Sequence, residues 1–217
     1  MNFDLSMFLR SVPVLLEGLQ MTLALALPAL VLSALWGVPL VMGLRSTSKA
    51  IVLATRGYIE LVRNTPVLVQ MFFIFFGSGM LGYPLSGFWA GMLALVLQNG
   101  AYMAEIYRGG IRAVPIRQSE AGLALGLAPG AVFRIVVLPQ AIRKVIPPLS
   151  NQGVLIIKDT SLVASIAVAE MTFQARLLAD RTAAVFEIFL ALALMYLLLT
   201  AVFAGLMRLL EIRFRIA

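Results

Sequence analysis

Residues 64–104 contain no charged side chain, and this long uncharged run constrains the fold more than any other feature of the sequence. A helix needs about 20 apolar residues to cross about 30 Å of hydrocarbon, so the run is too long for one passage. Glycine and proline residues between Gly77 and Gly87 predict a turn that divides the run in two. We therefore predict two membrane spans here, at about residues 64–81 and 86–106.

Three further apolar runs predict spans at about residues 18–44, 145–169 and 187–207. The whole chain is 61% hydrophobic and only 12% charged, with a mean hydropathy of +0.98, which is far more apolar than a soluble domain. Together these patterns predict an all-α integral membrane protein with five transmembrane helices. The 217 residues leave room for a single membrane domain and for no second folded domain.

Lysine and arginine residues are distributed unevenly between the ends of the predicted spans. Thirteen of the 17 lie in residues 45–63, in residues 107–144, or in the tail at Arg208, Arg213 and Arg215. Five spans place these three regions on one side of the membrane, and basic residues accumulate on the cytoplasmic side. We therefore predict an N-terminus outside and a C-terminus in the cytoplasm. This topology also accounts for the net charge of +7, so no nucleic acid partner is expected.

Several functions are excluded by the residue types that the chain lacks. Without cysteine and histidine it has no disulfide, no thiolate metal site and no imidazole base. The G-x-x-x-x-G-K-[ST] phosphate loop is also missing, so the chain does not hydrolyse ATP by that route. Residues 1–10 lack the features of a cleavable signal peptide. We expect a protein that is not an enzyme and holds no metal or cofactor of its own.

A polar segment with regularly placed glycines and prolines lies between the third and fourth predicted spans. Gln118 and Ser119 have side chains suited to an N-cap, and Gly126 suits the left-handed residue that ends a helix. Pro129 suits the first turn of a helix, whereas Pro139 predicts the end of that helix. The pattern predicts two short helices folded back on each other over about residues 112–140. Such a hairpin in the cytoplasm is suited to docking another protein.

This segment resembles the EAA signature of ATP-binding cassette (ABC) importer permeases. That signature reads Glu-Ala-Ala, three residues, Gly, nine residues, then Ile-x-Leu-Pro, and the matching positions are Glu120, Ala121, Gly126, Leu138 and Pro139. Gly122 and Val136 replace the usual Ala and Ile. Residues 63–66, 102–111, 138–141, 147–152 and 158–162 also resemble the polar amino acid branch of the family.

The resemblance implies a type I ABC importer permease with a cytoplasmic coupling hairpin, in the bacterial inner membrane. It implies that Glu120 and Gly126 contact a groove on a separate ATPase subunit, with Ala121 packed behind them. ATP and Mg²⁺ are then bound by that partner. The other implied partners are a second permease subunit, an extracytoplasmic substrate-binding protein and a polar amino acid as substrate.

Three charged residues, Glu105, Lys158 and Asp159, fall within predicted spans or at their ends. A charge in hydrocarbon is costly, so it is normally paired or lines a polar path. Lys158 and Asp159 are adjacent and cannot pair on a regular helix, so each needs another partner or the helix unwinds there. One interpretation is a structural ion pair between Glu105 and Lys158. The other is a midplane site where Asp159 binds an amino group and Lys158 a carboxylate.

Four more polar residues are candidates for the substrate path, each with an open structural alternative. Thr160 and Ser161 follow the two charges, but hydroxyls in membrane helices often bond back to backbone carbonyls. Asn99 and Tyr102 precede Glu105, and helix–helix hydrogen bonding explains them equally well.

Two rival functions are kept beside that of an ABC permease. An ion-gradient-driven secondary transporter should show inverted repeats and broken helices in both halves, whereas only one interrupted helix is visible. A non-transporting membrane scaffold for a soluble partner would use the same hairpin but has no need of charges within a span.

Overall fold

The computed structural model describes residues 3–214, and every regular element within this range is a helix. Arg215, which enters the charge count above, lies outside the described residues. The helices are α1 (Leu5–Gly43), α2 (Lys49–Arg63), α3 (Val67–Met80), α4 (Gly87–Arg112), α5 (Ile116–Ala124), α6 (Pro129–Ala131), α7 (Leu138–Asp159), α8 (Met171–Thr182) and α9 (Val185–Phe214). A π-helix, Val132–Val137, joins α6 to α7, and a 3₁₀-helix, Thr160–Ile166, follows α7.

The predicted spans overlap α1, α3, α4, α7 and α9, but the span predicted at residues 145–169 extends past the end of α7 at Asp159 into the 3₁₀-helix and beyond it. By length and apolar composition, however, only α1 and α9 are sufficient to cross a membrane among the described residues. A third span is added if α2 and α3, which meet at a bend of 102°, form one broken span. The α4 and α7 helices fall short by this measure because charged and polar residues interrupt their apolar character. The number of five spans therefore stays a prediction.

Helix α1 is longer than the apolar run that predicts it. Helix α1 begins at Leu5, where Asp4 is the N-cap and accepts hydrogen bonds from the backbone N–H groups of Ser6 and Met7 at 2.8 and 3.1 Å. The hydrogen bond from the Ser6 side chain, followed by that from Met7, lowers the pKa of Asp4 below its ordinary value. The first described residues thus form an ordered helix start.

The core lies where α1, α4 and α7 pack closely along one another, and glycines allow the close approach. A Cβ atom at Gly37 would lie 2.6 Å from the Cβ of Met103, and one at Gly153 would lie 2.5 Å from the ring of Phe203 on α9. The surrounding buried side chains are mostly apolar, among them Leu25 and Leu95. Small residues at such crossings are typical of helix packing in membranes, where close van der Waals contact replaces the hydrophobic effect.

Helix α8, which the apolar runs do not predict, packs against α1 through its first turn. The Glu170 side chain is fully buried and caps α8 by accepting from the Phe173 N–H at 2.8 Å. The Tyr196 hydroxyl on α9 donates to the other oxygen of Glu170, also at 2.8 Å. A buried carboxyl group that has two donors fixes α8 between α1 and α9.

Candidate functional site

The segment between α4 and α7 folds as a hairpin, as the sequence predicts, and its turn depends on Gly126. Helix α5 ends at Ala124, and Gly126 has φ of +81°, the left-handed conformation that glycine adopts without steric cost. The N–H groups of Gly126 and Leu127 donate to the carbonyls of Leu123 and Gly122 at 2.9 and 3.2 Å. These bonds satisfy the free carbonyls at the end of α5. Pro129 then starts the returning helix at its first position, also as predicted.

Two details of the predicted hairpin are wrong. The N-cap of α5 is Pro115, without a side-chain cap, and Gln118 and Ser119 lie inside the helix. The returning helix also does not end at Pro139, because α6 continues through the π-helix into α7. The wide π turns interrupt the regular bonding pattern just before Pro139. Pro139 therefore occupies the second position of α7, directly after the π-helix.

The buried residue of the signature is Gly122 and not Ala121. Glu120 and Ala121 are both exposed on the outer side of α5. Contrary to the prediction, Ala121 therefore does not pack behind Glu120. Gly122 is the buried residue, and a Cβ atom there would lie 3.0 Å from the Cγ2 of Val132 on the returning helix. The helical period of 3.6 residues decides this, because it turns Gly122, and not Ala121, toward the other arm of the hairpin.

The hairpin also presents apolar side chains to solvent that the sequence analysis did not select. Ile116, Leu123 and Leu125 are 69%, 48% and 83% exposed and lie on the same short helix and turn as Glu120. Exposed large apolar groups on a polar projection indicate a protein contact surface. The sequence feature that could have identified these residues is their position in an otherwise polar, glycine-containing segment.

The hairpin is joined to the helices of the core by one small apolar cluster and one cation–π contact. Val114, Val132, Val137 and Ala141 form the cluster where α4 and α7 meet the hairpin. The guanidinium of Arg45, just after α1, lies 4.6 Å from the centre of the Phe133 ring in the π-helix. An open cavity of about 640 Å³ remains between the hairpin and the ends of α1 and α4.

Glu105 has a partner on its own helix, so the predicted ion pair between Glu105 and Lys158 is wrong. The Arg108 guanidinium forms an ion pair with the Glu105 carboxylate and donates to it through Nε at 3.1 and 3.2 Å. Residues three apart face the same side of a helix, so this pair forms locally on α4. Among the side chains described in residues 3–213, it is the one ion pair.

Lys158 and Asp159 lie at the end of α7, where the chain changes from α-helix to 3₁₀-helix at Thr160. The helix therefore does not unwind at the two charges themselves, and it continues after them as a tighter 3₁₀-helix. Lys158 is exposed and lines a groove of about 370 Å³ between α7, α8 and α9, together with Ser161 and Tyr196. Asp159 is half-buried and does not line this groove. The two charges therefore do not converge on one cavity.

The neutral candidates for the substrate path mostly have structural partners. Thr160 and Ser161 donate to the carbonyls of Ile157 and Lys158, both at 2.7 Å. Asn99 is buried, donates to Leu95 on its own helix, and accepts a 2.6 Å hydrogen bond from Gln152 on α7. For these three residues the structural alternative fits the observed contacts.

Tyr102 keeps an environment that suits a polar path. Its ring is half-buried on α4, and the Arg63 guanidinium lies 5.0 Å from the ring centre. Together with Glu105, it forms the polar side of the last turns of α4.

The all-helical architecture and the helix–turn–helix that carries this signature are the features of ABC transporter permease subunits. The chain belongs to the family of binding-protein-dependent transport system inner membrane components, whose family model matches residues 37–216. The resemblance drawn from the sequence motifs is thereby confirmed. The hydrolysis of ATP is the task of a separate subunit in this family, so the chain is not an enzyme.

Similar proteins cover the chain over nearly its full length. The glutamine transport system permease protein GlnP of Escherichia coli is 37% identical, with complete coverage of both chains. The nopaline transport system permease protein NocM of Agrobacterium fabrum is 36% identical over 96% of this chain and 90% of the relative.

Solved structures show the same fold. A chain from an amino acid ABC transporter crystallised with histidines matches 98% of this chain and 100% of its own length, with a TM-score of 0.93 and 35% identity. A chain of the MetNI methionine ABC transporter has a TM-score of 0.74 at 13% identity, a likeness of fold alone.

Proposed function

We propose that this chain is the permease subunit of an ATP-driven importer of polar amino acids, and that its hairpin docks an ATPase subunit. The observation that carries the docking proposal is the projecting surface of Glu120, Leu123 and Leu125, held by the left-handed turn at Gly126. An acidic side chain beside exposed apolar groups offers both a charged contact and buried area to a partner. The family match does not favour a secondary transporter or a scaffold.

The proposed arrangement in the membrane has five spans, formed by α1, α3, α4, α7 and α9. It places the N-terminus outside and the hairpin in the cytoplasm, where an ATPase reaches it. The distribution of basic residues supports this orientation, because Arg112, Arg117 and Arg134 all lie at or within the hairpin. The hairpin and the outer turn at Gly82 lie at opposite ends of α4.

The substrate path is proposed to lie along the end of α7 and the last turns of α4. Lys158 is the exposed cation that can bind a substrate carboxylate, and its groove also carries the Ser161 and Tyr196 hydroxyls. Asp159 and Glu105 supply the carboxylates for a substrate amino group on separate surfaces. A second permease chain is proposed to complete the path, because one copy leaves these groups on open grooves and separate faces.

Docking is tested by measuring stimulated ATP hydrolysis and substrate uptake in liposomes that contain the chain, its candidate ATPase and its binding protein. Glu120→Lys reverses the charge on the proposed docking surface and should abolish uptake without reducing membrane insertion. Asp180→Lys is the matched control, since Asp180 is an exposed acid on α8, outside the hairpin. Normal uptake by Glu120→Lys would refute docking through this surface.

A further inference from the structure

Helix α2 has three distinct sides, of which only one is buried in the protein. Ile59 and Val62 are buried, while Ile51 and Leu61 on an adjacent side are 50% and 70% exposed. A helix with 3.6 residues per turn places the charged residues of α2 together on the remaining side. The charged side consists of Lys49, Arg56, Glu60 and Arg63.

The contacts of α2 show how these sides are oriented relative to α4. The Tyr58 hydroxyl, on the apolar side, donates to the carbonyl of Leu97 near the middle of α4 at 3.0 Å. The charged side instead adjoins Arg108 and Arg112, at the end of α4 beside the hairpin. With α4 spanning the membrane, the apolar side of α2 faces the hydrocarbon and its charged side faces the headgroup layer. The bend of 102° between α2 and α3 fits a helix lying along a membrane surface.

Between the charged side of α2 and the end of α4 lies a cavity of about 310 Å³ with an excess of positive charge. Four arginines line it, against two acids, of which Glu105 is already paired with Arg108. Arg56, Arg63 and Arg112 are exposed and have no ion pair with any described side chain. The lining residues are Leu44, Arg56, Ile59, Glu60, Arg63, Glu105, Arg108 and Arg112.

We propose that this cavity binds the phosphate of an anionic phospholipid whose headgroup lies against the charged side of α2. Arginine guanidinium groups bind phosphate oxygens in bidentate geometry, and basic pockets between helices at the cytoplasmic surface are suited to anionic headgroups. A lipid is favoured over an acidic protein segment because α2 also exposes Ile51 and Leu61, which acyl chains would cover. The assignment of this surface to the cytoplasmic leaflet rests on the proposed five-span topology.

The experiment is a titration of the purified full-length chain with phosphatidylglycerol or phosphatidylcholine, followed by native mass spectrometry in about 0.15 M salt. Preferential binding of phosphatidylglycerol to the unaltered chain is expected. The double variant Arg56→Gln/Arg112→Gln removes two charges from the cavity. It should weaken phosphatidylglycerol binding roughly thirtyfold, because each basic residue near a membrane surface contributes about a factor of five.

The matched control is Arg143→Gln/Lys144→Gln, which removes two exposed charges from α7 outside the cavity. Arg143 and Lys144 do not line the cavity and cannot contact a phosphate bound in it, so the control should stay within about twofold of the unaltered chain. Equal losses in both double variants would show general surface attraction and would overturn the proposal.

Two further outcomes would also overturn the proposal. Both are measured on the unaltered chain, so they do not depend on whether a variant folds. The first is equal binding of the two lipids by the unaltered chain. The second is displacement of bound phosphatidylglycerol by the ATPase subunit, which would assign the cavity to a protein contact. The lipid titration itself is carried out before any ATPase is added, so failure of the docking proposal leaves the result of that titration unchanged.

Discussion

Substitution of Gly126 is the sharpest test of the hairpin, because the structure separates its backbone effect from any loss of contact. Gly126 has φ of +81°, and a Cβ atom added there meets no atom within 4 Å. Gly126→Ala therefore removes no packing and causes no collision within the chain. Its cost is the left-handed conformation alone, which is about 1–2 kcal/mol for a residue with a Cβ atom.

This cost should appear as a loss of affinity for the ATPase. If the strained turn relaxes in the free permease, docking has to re-form it, and 1–2 kcal/mol then corresponds to a dissociation constant roughly 5–30 times higher. Gly126→Asn should give a smaller loss, because asparagine tolerates the left-handed region better than alanine. The expected order of affinity is therefore glycine, then asparagine, then alanine.

The control is Gly130→Ala, four residues along the same hairpin. Gly130 is also exposed with no atom within 4 Å of an added Cβ, but its φ is not positive. This variant should bind like the unaltered chain. Binding is measured with the permease held in nanodiscs and the ATPase titrated in solution. Equal affinities for Gly126→Ala and Gly130→Ala would refute the role of the left-handed turn in docking.

Three other predictions concern the core, the substrate path and the start of α1. Asn99→Leu should lower the free energy of unfolding by about 1–3 kcal/mol, because Gln152 then loses its buried acceptor, and adding Gln152→Leu should restore part of the loss in thermal unfolding. Asp159→Asn should reduce uptake roughly tenfold or more at an unchanged yield of intact complex if Asp159 binds a substrate amino group, whereas a parallel fall in both would assign it a structural role. The capping hydrogen bonds of Asp4 lower its pKa in the folded state, so their contribution to helix stability should be present above its ordinary pKa of 3.8 and be lost as the pH falls through the lowered pKa. The amide chemical shifts of Ser6 and Met7 should report this loss, and Asp4→Asn should abolish the pH dependence.

The sequence alone was sufficient for the helical class of the fold and for the place of the hairpin. Largely apolar runs predict helices that overlap α1, α3, α4, α7 and α9, because a membrane requires long apolar segments whatever their packing. Gly126 and Pro129 identify the turn of the hairpin, because their backbone preferences are properties of the residues themselves.

The contacts between residues of different helices were decided only by the tertiary structure. Asn99 meets Gln152 and Arg45 meets Phe133 because α4, α7 and the hairpin pack together, and no local pattern encodes which residues face each other. Glu105 pairs locally with Arg108, three residues along α4, whereas the packing of α7 against α8 and α9 determines that Lys158 faces a groove.

The difference between local pattern and tertiary packing also explains the burial of Gly122 and the orientation of helix α2. Periodicity assigns Ala121 and Gly122 to different faces, but only the returning arm of the hairpin, with Val132, makes one of these faces buried. In α2 the helical period places the charged and apolar residues on separate sides, but only the bend toward α3 and the contact with α4 determine where each side faces. Backbone preference and apolar length act along the chain, whereas burial and pairing depend on which segments lie next to one another, and this is determined only when the helices pack.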